Sequence, residues 1–350
     1  MARIRALDGL RGIAAATVLA RHASNVANLP IHPGADWAVM MFFVLSGFAL
    51  ALPWADGRPQ AEGIFLLRRI CRLWPPIIVA VFVSAALYNS LSPATTVNVW
   101  WSERPTAAVL MHCILLTGQS TSLDIPLWSL VHEARISLVF PLLAFCTLRW
   151  PVRTLGVTLA IASPWEYAAL QNGTGAWELP LAGWAGAMAT SRYLVLFSLG
   201  ILLAQHRVRL AEFMARLRWP AVVGFVGLAE MLSASPFTTA QGIAAAIVIV
   251  IALSRASVAR ALEWPPIAWL GRVSYSLYLI HVPILLAGWY GVGSGKAITT
   301  GSVIVALCAA ELMYRLVESP SIALSRRLHH HYVVRRLLRE RLADPACLKS

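Results

Sequence analysis

Arg11 and His22 stand ten residues apart in the first apolar segment, LDGLRGIAAATVLARH. Eleven steps at ~100° per residue return to nearly the same face of a helix, and at ~1.5 Å per residue they climb about 16 Å. One helix would therefore carry a fixed cation near one membrane surface and a titratable base near the other, both facing the same way. Ionisable groups inside an apolar span are costly and usually functional. A guanidinium suits phosphate or carboxylate, and imidazole is the usual proton acceptor near neutral pH. The plainer alternative is an interfacial arginine anchor with a histidine at the helix end.

Two further motifs carry matching chemistry. In LLRRICRLWPP, Arg69 and Arg72 sit three apart, on one side of a helical turn, and Arg68 adds a third cation. With Arg11 they could form an anion site at the cytoplasmic mouth of a bundle, best suited to polyphosphate; the alternative is a flank that only orients the chain in the membrane. In PLWSLVHEARISLVFPLL, Glu133 lies about one and a half turns inside the apolar stretch, at the depth expected of His22. A carboxylate beside an imidazole fixes its tautomer and supports it as a base. Arg135 faces away from Glu133. The alternative is internal compensation of Glu133 by Arg135 or His132.

Other segments read as support. MFFVLSGFAL places Ser46 and Gly47 where helices can approach closely, and GRVSYSLYLIHVP offers Tyr275, Tyr278 and His281 to a pocket or to packing. Glu230 and Glu311 are isolated carboxylates with no role assigned. The five cysteines (Cys71, Cys113, Cys146, Cys308, Cys347) form no CxxC; four read as small core residues, with no disulfide framework and no metal site. His329, His330 and His331 belong to the tail RRLHHHYVVRRLLRER, read as a basic amphipathic helix on the anionic inner leaflet rather than a metal tract.

The elements that must position these groups follow from composition. The chain has 350 residues, 58% hydrophobic and 13% charged, with 14 Trp and mean hydropathy +0.67. That is an all-α, polytopic membrane helix bundle rather than a soluble domain. Ten spans are expected, at about 8–25, 36–54, 74–92, 128–148, 152–170, 191–205, 219–235, 239–256, 272–290 and 298–317. With the N-terminus inside, the inward segments hold 24 of the 29 Lys and Arg, so the expected topology is N-in, C-in. The charge of +13 thus orients the chain in a membrane instead of binding nucleic acid. Residues 106–118 are apolar but short and read as re-entrant or interfacial on the outer side. The basic start followed by an Ala-rich run reads as an uncleaved first helix, since Arg11 interrupts it. Residues 1–325 would form the membrane domain and 326–350 the cytoplasmic tail.

Six motifs in this order, from about residue 5 to 325, resemble the acyltransferase-3 family: LDGLRGIAAATVLARH, FFVLSGF, RRICRLWPP, PLWSLVHEARISLVFP, SYSLYLIHVP and RLVESPSI. These are integral-membrane acyltransferases, including O-antigen and exopolysaccharide O-acetylases. The family's Arg–x10–His motif falls on Arg11 and His22, its paired arginines on Arg69 and Arg72, and its Trp-Ser-Leu-then-Glu motif on Trp128, Ser129 and Glu133. Many members carry a second Glu and an aromatic pair next; Ala134 and Ile136-Ser137 stand here, against a mechanism needing two adjacent carboxylates. A fused esterase-like domain, found in some members, is not expected.

The resemblance implies an acyl-CoA donor, acetyl-CoA first, with its phosphates on Arg11, Arg69 and Arg72 at the cytoplasmic face. The pantetheine arm would carry the thioester up to His22. His22 would act as general base on a hydroxyl of a carbohydrate or other exported acceptor, oriented by Glu133; an acyl-histidine intermediate stays open. The expected setting is the bacterial inner membrane, with membrane lipid as a partner, no nucleic acid and no metal. The competing class is a proton-coupled transporter, which also uses intramembrane His and Glu. Acceptor choice would lie in the outer loops 25–36, 93–127 and 171–190, where Trp177 and Trp184 suit sugar stacking or interfacial anchoring.

Overall fold

The computed structural model describes residues 4–29, 34–58, 60–91, 101–172, 180–293, 295–328 and 332. All regular structure among them is helical. The elements are α1 (Arg5–Val26), α2 (Ala35–Ala55), α3 (Glu62–Leu91), α4 (Ala107–Ile114), α5 (Leu127–Arg149), α6 (Pro151–Asn172), α7 (Gly183–Thr190), α8 (Leu194–Arg216), α9 (Trp219–Ser233), α10 (Thr238–Ser254), α11 (Ala256–Leu262), α12 (Pro265–Val292) and α13 (Lys296–Met313). A π turn, Tyr314–Glu318, continues α13. The expected tail beyond Leu328, apart from Tyr332, and Trp177 of the outer loop lie outside the described residues.

Each of the ten expected segments is a helix, but they are not equally suited to crossing a membrane. Six described helices are long and apolar enough, or seven if α10 and α11, bent by 102° at their junction, form one span. α1 and α6 carry more polar residues, and α9 has only 15. α5 illustrates the apolar kind. Ile136, Phe140 and Ala144 are buried, while Leu138, Leu142 and Phe145 on the opposite side are more than half exposed. A helix apolar on all sides needs lipid, not water, around its outer face.

α4 is eight residues long, about 12 Å, too short to cross a core of ~30 Å. Thr106 caps it by accepting from the Val109 amide, and positive φ at Leu116 and Gly118 turns the chain back. The 101–126 segment closes the late half of α3: Trp101 donates to Ser84 at 3.1 Å, and Ser84 donates to the Leu123 carbonyl.

α3 begins twelve residues before the expected span, so Arg69 and Arg72 lie within the helix rather than in the loop before it. The Pro75-Pro76 pair, a plausible helix start, sits inside α3. Membrane helices tolerate such prolines when neighbours satisfy nearby carbonyls. Here Tyr275 donates to Leu73 O at 2.9 Å and Ser325 to Arg68 O at 3.2 Å.

α1 packs most extensively on α12. A Cβ on Gly12 would lie 2.4 Å from the Gly271 nitrogen, and one on Gly271 would lie 2.2 Å from Asp8 O. Only hydrogens fit there, so the two backbones touch. Further along, His22 meets His281. Both helices advance together between these contacts, so they run parallel and enter from the same side. Gly47 and Gly200 join α2 to α8 by the same device.

The cysteines need one correction to their expected burial. Cys113 is buried, and burial pushes its thiol up to about 11, which keeps it protonated and inert. Cys71 and Cys146 are half-buried, and Cys308 is exposed on α13. The expected role of Cys308 as core does not hold: the outer face of a membrane helix is apolar too, so composition does not separate the two sides.

Candidate functional site

α12 gathers the scattered motifs into one column. Its SYSLYLIH stretch presents Ser276, Tyr275, Tyr278 and His281 to different partners. Ser276 donates from both its amide and its hydroxyl (2.6 Å) to Glu318 on the π turn. Tyr275 reaches α3 at Leu73. Tyr278 bonds Ser129 of α5 at 2.8 Å. His281 Nε2 lies 2.8 Å from His22 Nδ1, with the rings within 10° of parallel. Sequence reasoning treated this segment chiefly as packing. The signal that could have found it was polar residues on several faces of one apolar helix, at 274–276, 278 and 281.

At one end of the column stand His22 and His281. At the other stand Arg11, Arg72 and Glu318, close enough that the charges of Arg11 and Glu318 both act on Arg72. Arg11 and Arg72 are half-buried. Among the described residues neither guanidinium has a hydrogen bond or an ion pair. Two half-buried cations repel each other, the single carboxylate of Glu318 offsets only one charge, and a further anion would relieve the rest. Glu318, in the RLVESPSI segment, is close enough for the charges of both arginines to act on it.

Between the ends lies an ion pair that the sequence did not suggest. Arg69 donates to Glu133 Oε1 at 2.6 Å and to Ser137 Oγ at 3.2 Å, and Ser46 donates to the same carboxylate oxygen at 3.1 Å. The expected pairing of Glu133 with His22 is not formed among the described residues: His22 has a hydrogen bond with His281, and the bonds of Glu133 run to Arg69 and Ser46. Arg69 in turn is bonded to Glu133 and Ser137, although its charge still reaches Arg72. The reason is the neighbour that Arg69 meets. Because α3 starts early, Arg69 lies inside the bundle beside α5, where Glu133 and Ser137 meet its guanidinium.

Glu133 is not compensated by its chain neighbours either. His132 bonds Thr190 Oγ1 at 2.9 Å. Arg135 donates to Thr117 O at 2.8 Å and Leu181 O at 2.6 Å, fastening two loops to α5. Glu311 is paired as well, accepting from Trp269 at 2.8 Å and Arg315 at 2.5 Å. In the segment before α5, Asp124 is fully buried with neither carboxylate oxygen bonded among the described residues. Burial holds its carboxyl well above the usual range, in the neutral form. No group of three or more potential metal ligands occurs among the described residues.

The Arg69–Glu133 pair makes a stability prediction. Glu133→Leu leaves a buried guanidinium uncompensated, at a cost of roughly 3–5 kcal/mol, whereas Glu133→Leu with Arg69→Met removes both charges and should recover most of it. Thermal unfolding of the purified protein in detergent checks this. A double variant no more stable than the single one would mean that the two charges are not coupled.

Comparison with known proteins bears on what this column does. The family model described as an acyltransferase domain matches residues 4–314. The chain belongs to the acyltransferase-3 family. It is 25% identical to the acyltransferase MdmB of Streptomyces mycarofaciens over 367 residues, covering 92% of each chain. It is also 38% identical over 91 residues to Protein 2 in the picA locus of Rhizobium radiobacter, covering 24% of this chain and 46% of that one. No solved structure matches. Family membership, with the long apolar helices, identifies an integral membrane acyltransferase and leaves the transporter reading without support. The matched region takes in Arg11, His22, Arg69, Arg72, Glu133 and His281 and stops just short of Glu318.

Proposed function

We propose that this protein is a membrane O-acyltransferase. It takes an acyl group, acetyl in the first instance, from acyl-CoA on the cytoplasmic side and delivers it to a hydroxyl of a glycan or other exported acceptor. The observation that carries this reading is the pair of unpaired guanidiniums, Arg11 and Arg72, at one end of a helix whose other end carries His22. The donor's phosphates would bridge the two arginines. About 16 Å of helix separates them from the imidazole, a length suited to an extended pantetheine arm.

In the transfer step His22 accepts the proton of the acceptor hydroxyl as its oxygen attacks the thioester carbonyl carbon. The carbon–sulfur bond breaks, and the departing thiolate takes the proton back from His22 to leave as the free thiol of CoA. Glu133, through Arg69, holds α3 against α5 and so fixes the wall between donor and acceptor ends. The same reading takes the chain as a ten-span, N-in, C-in protein of a bacterial inner membrane, with α1, α6 and α9 also crossing.

One experiment tests donor and sidedness together. Sealed inner-membrane vesicles from the native host are prepared inverted or right-side-out and given labelled acetyl-CoA. Inverted vesicles should release CoA thiol and pass the label to membrane-associated acceptor; right-side-out vesicles should do neither. Release of thiol by neither preparation would overturn the donor, and equal release by both would overturn the topology.

A further inference from the structure

His281 lies on α12 with 1% of its surface exposed. Its Nδ1 is 2.9 Å from the Leu277 carbonyl oxygen, one turn earlier on the same helix. A carbonyl has only lone pairs to offer, so Nδ1 of His281 carries the proton. The hydrogen bonds of His281 run to that carbonyl and to His22, with no carboxylate among them, so its buried ring is the neutral imidazole. Its Nε2 is then an acceptor. That nitrogen faces His22 Nδ1 at 2.8 Å, so the proton between them belongs to His22. A neutral His22 ring with its proton on Nδ1 has its lone pair on Nε2.

We propose that His281 is the positioning residue of the reaction: it locks His22 as the Nδ1–H tautomer and thereby makes Nε2 the proton-accepting atom. This rests on the reading of His22 as the base. A carboxylate commonly performs this service for a catalytic histidine. Here a backbone carbonyl supplies the polarity and a second imidazole relays it, so no charge is buried beside the base. The relay is held rigid from behind. Tyr278, one turn below His281, bonds Ser129 at 2.8 Å and packs edge-on to Phe42. The parallel contact of α1 with α12 through Gly12 and Gly271 keeps the two histidines level.

Two substitutions separate this role from packing. His281→Gln offers an amide oxygen at the reach of Nε2, so it can still accept from His22 Nδ1. His281→Leu fills similar space and accepts nothing. The direct readout is the tautomer of His22, from ¹⁵N chemical shifts of histidine-labelled protein in liposomes, its resonances being those lost in His22→Asn. The wild type and His281→Gln should carry the proton on Nδ1, and His281→Leu should move it to Nε2.

In parallel, acetyl-CoA turnover in membranes should fall by about 10²-fold in kcat for His281→Leu, with KM for acetyl-CoA unchanged, and stay within a few-fold for His281→Gln. A wild-type His22 protonated on Nε2 overturns the proposal. So does a His281→Leu protein with an unchanged tautomer and unchanged kcat. Should His281→Leu fail to accumulate, the wild-type tautomer and the His281→Gln rescue decide. The tautomer is measured without turnover. A His22→Ala protein that still transfers acyl groups would therefore remove the base assignment without touching the His281–His22 relay.

Discussion

His22→Ala should abolish detectable acyl transfer, a fall of roughly 10²–10⁴-fold, while the protein accumulates in the membrane at its normal level and keeps its helical content. The size follows from the task. A hydroxyl attacking a thioester must lose its proton as the new bond forms, and water is a poor substitute acceptor at a site several turns inside a bundle. The stability cost should be small by comparison. His22 is half-buried at the last turns of α1, and the contacts that fix this helix are the glycine-mediated approach to α12 and the buried Leu10, Ala14 and Val18. The measurement is release of CoA thiol in membranes that contain the native acceptor, normalised to protein amount. Turnover within a few-fold of wild type would remove His22 from the chemistry. Loss of the protein from the membrane would make it a structural residue.

The elements were legible in the sequence because lipid and helix geometry both leave strong marks. Runs such as GIAAAIVIVIAL have few alternatives to a buried or lipid-facing helix, and all ten expected segments are helical. The edges were less legible where polar residues enter a helix. The start of α3 lies earlier than the sequence suggests because Arg68, Arg69, Arg72, Pro75 and Pro76 together read as a loop, whereas Gln60 bonds Arg68, Glu133 bonds Arg69, and the hydroxyls of Tyr275 and Ser325 bond carbonyls of this stretch.

The site was legible in its residue types and not in its pairings. Spacing along one helix correctly puts Arg11 and His22 on a common face, since period and rise are local properties. Which carboxylate meets which cation is a property of helix neighbours. Depth alone made Glu133 a fair partner for His22, but the structure gives Glu133 to Arg69 because α2, α3 and α5 meet there, and it gives His22 to His281 because α12 runs parallel to α1. The parallel pairing can be traced to Gly12 and Gly271, which look unremarkable singly and become informative only as a pair.

The second large effect is expected at the opposite end of α1. Replacing Arg11 and Arg72 together with Gln should weaken acetyl-CoA binding by about 10²–10⁴-fold, taking roughly 1.5–3 kcal/mol for each charge-assisted bond lost. Among the described residues, the two make no hydrogen bond or ion pair, and Glu318 is a carboxylate whose charge reaches both. Arg69, Arg192, Arg207 and Arg315 each form an ion pair with a carboxylate, so removing one of them strands a bonded anion, whereas removing Arg11 and Arg72 breaks no ion pair among the described residues and leaves Glu318 held by Ser276. Stability should therefore change little, since the mutual repulsion of the pair disappears together with its attraction to Glu318. Binding of labelled acetyl-CoA to detergent-purified protein gives the affinity, with Arg149→Gln, an exposed position, as a charge-matched control. A second donor, the acetyl thioester of N-acetylcysteamine, carries the reacting group without any phosphate. Wild type should prefer acetyl-CoA strongly over it, and the double variant should turn over the two donors with nearly equal kcat/KM. Salt should weaken acetyl-CoA binding to the wild type and leave the double variant almost unaffected, since only the former contact is ionic. An unchanged affinity together with an unchanged donor preference would assign Arg11 and Arg72 to membrane orientation alone and would move the donor site elsewhere in the bundle.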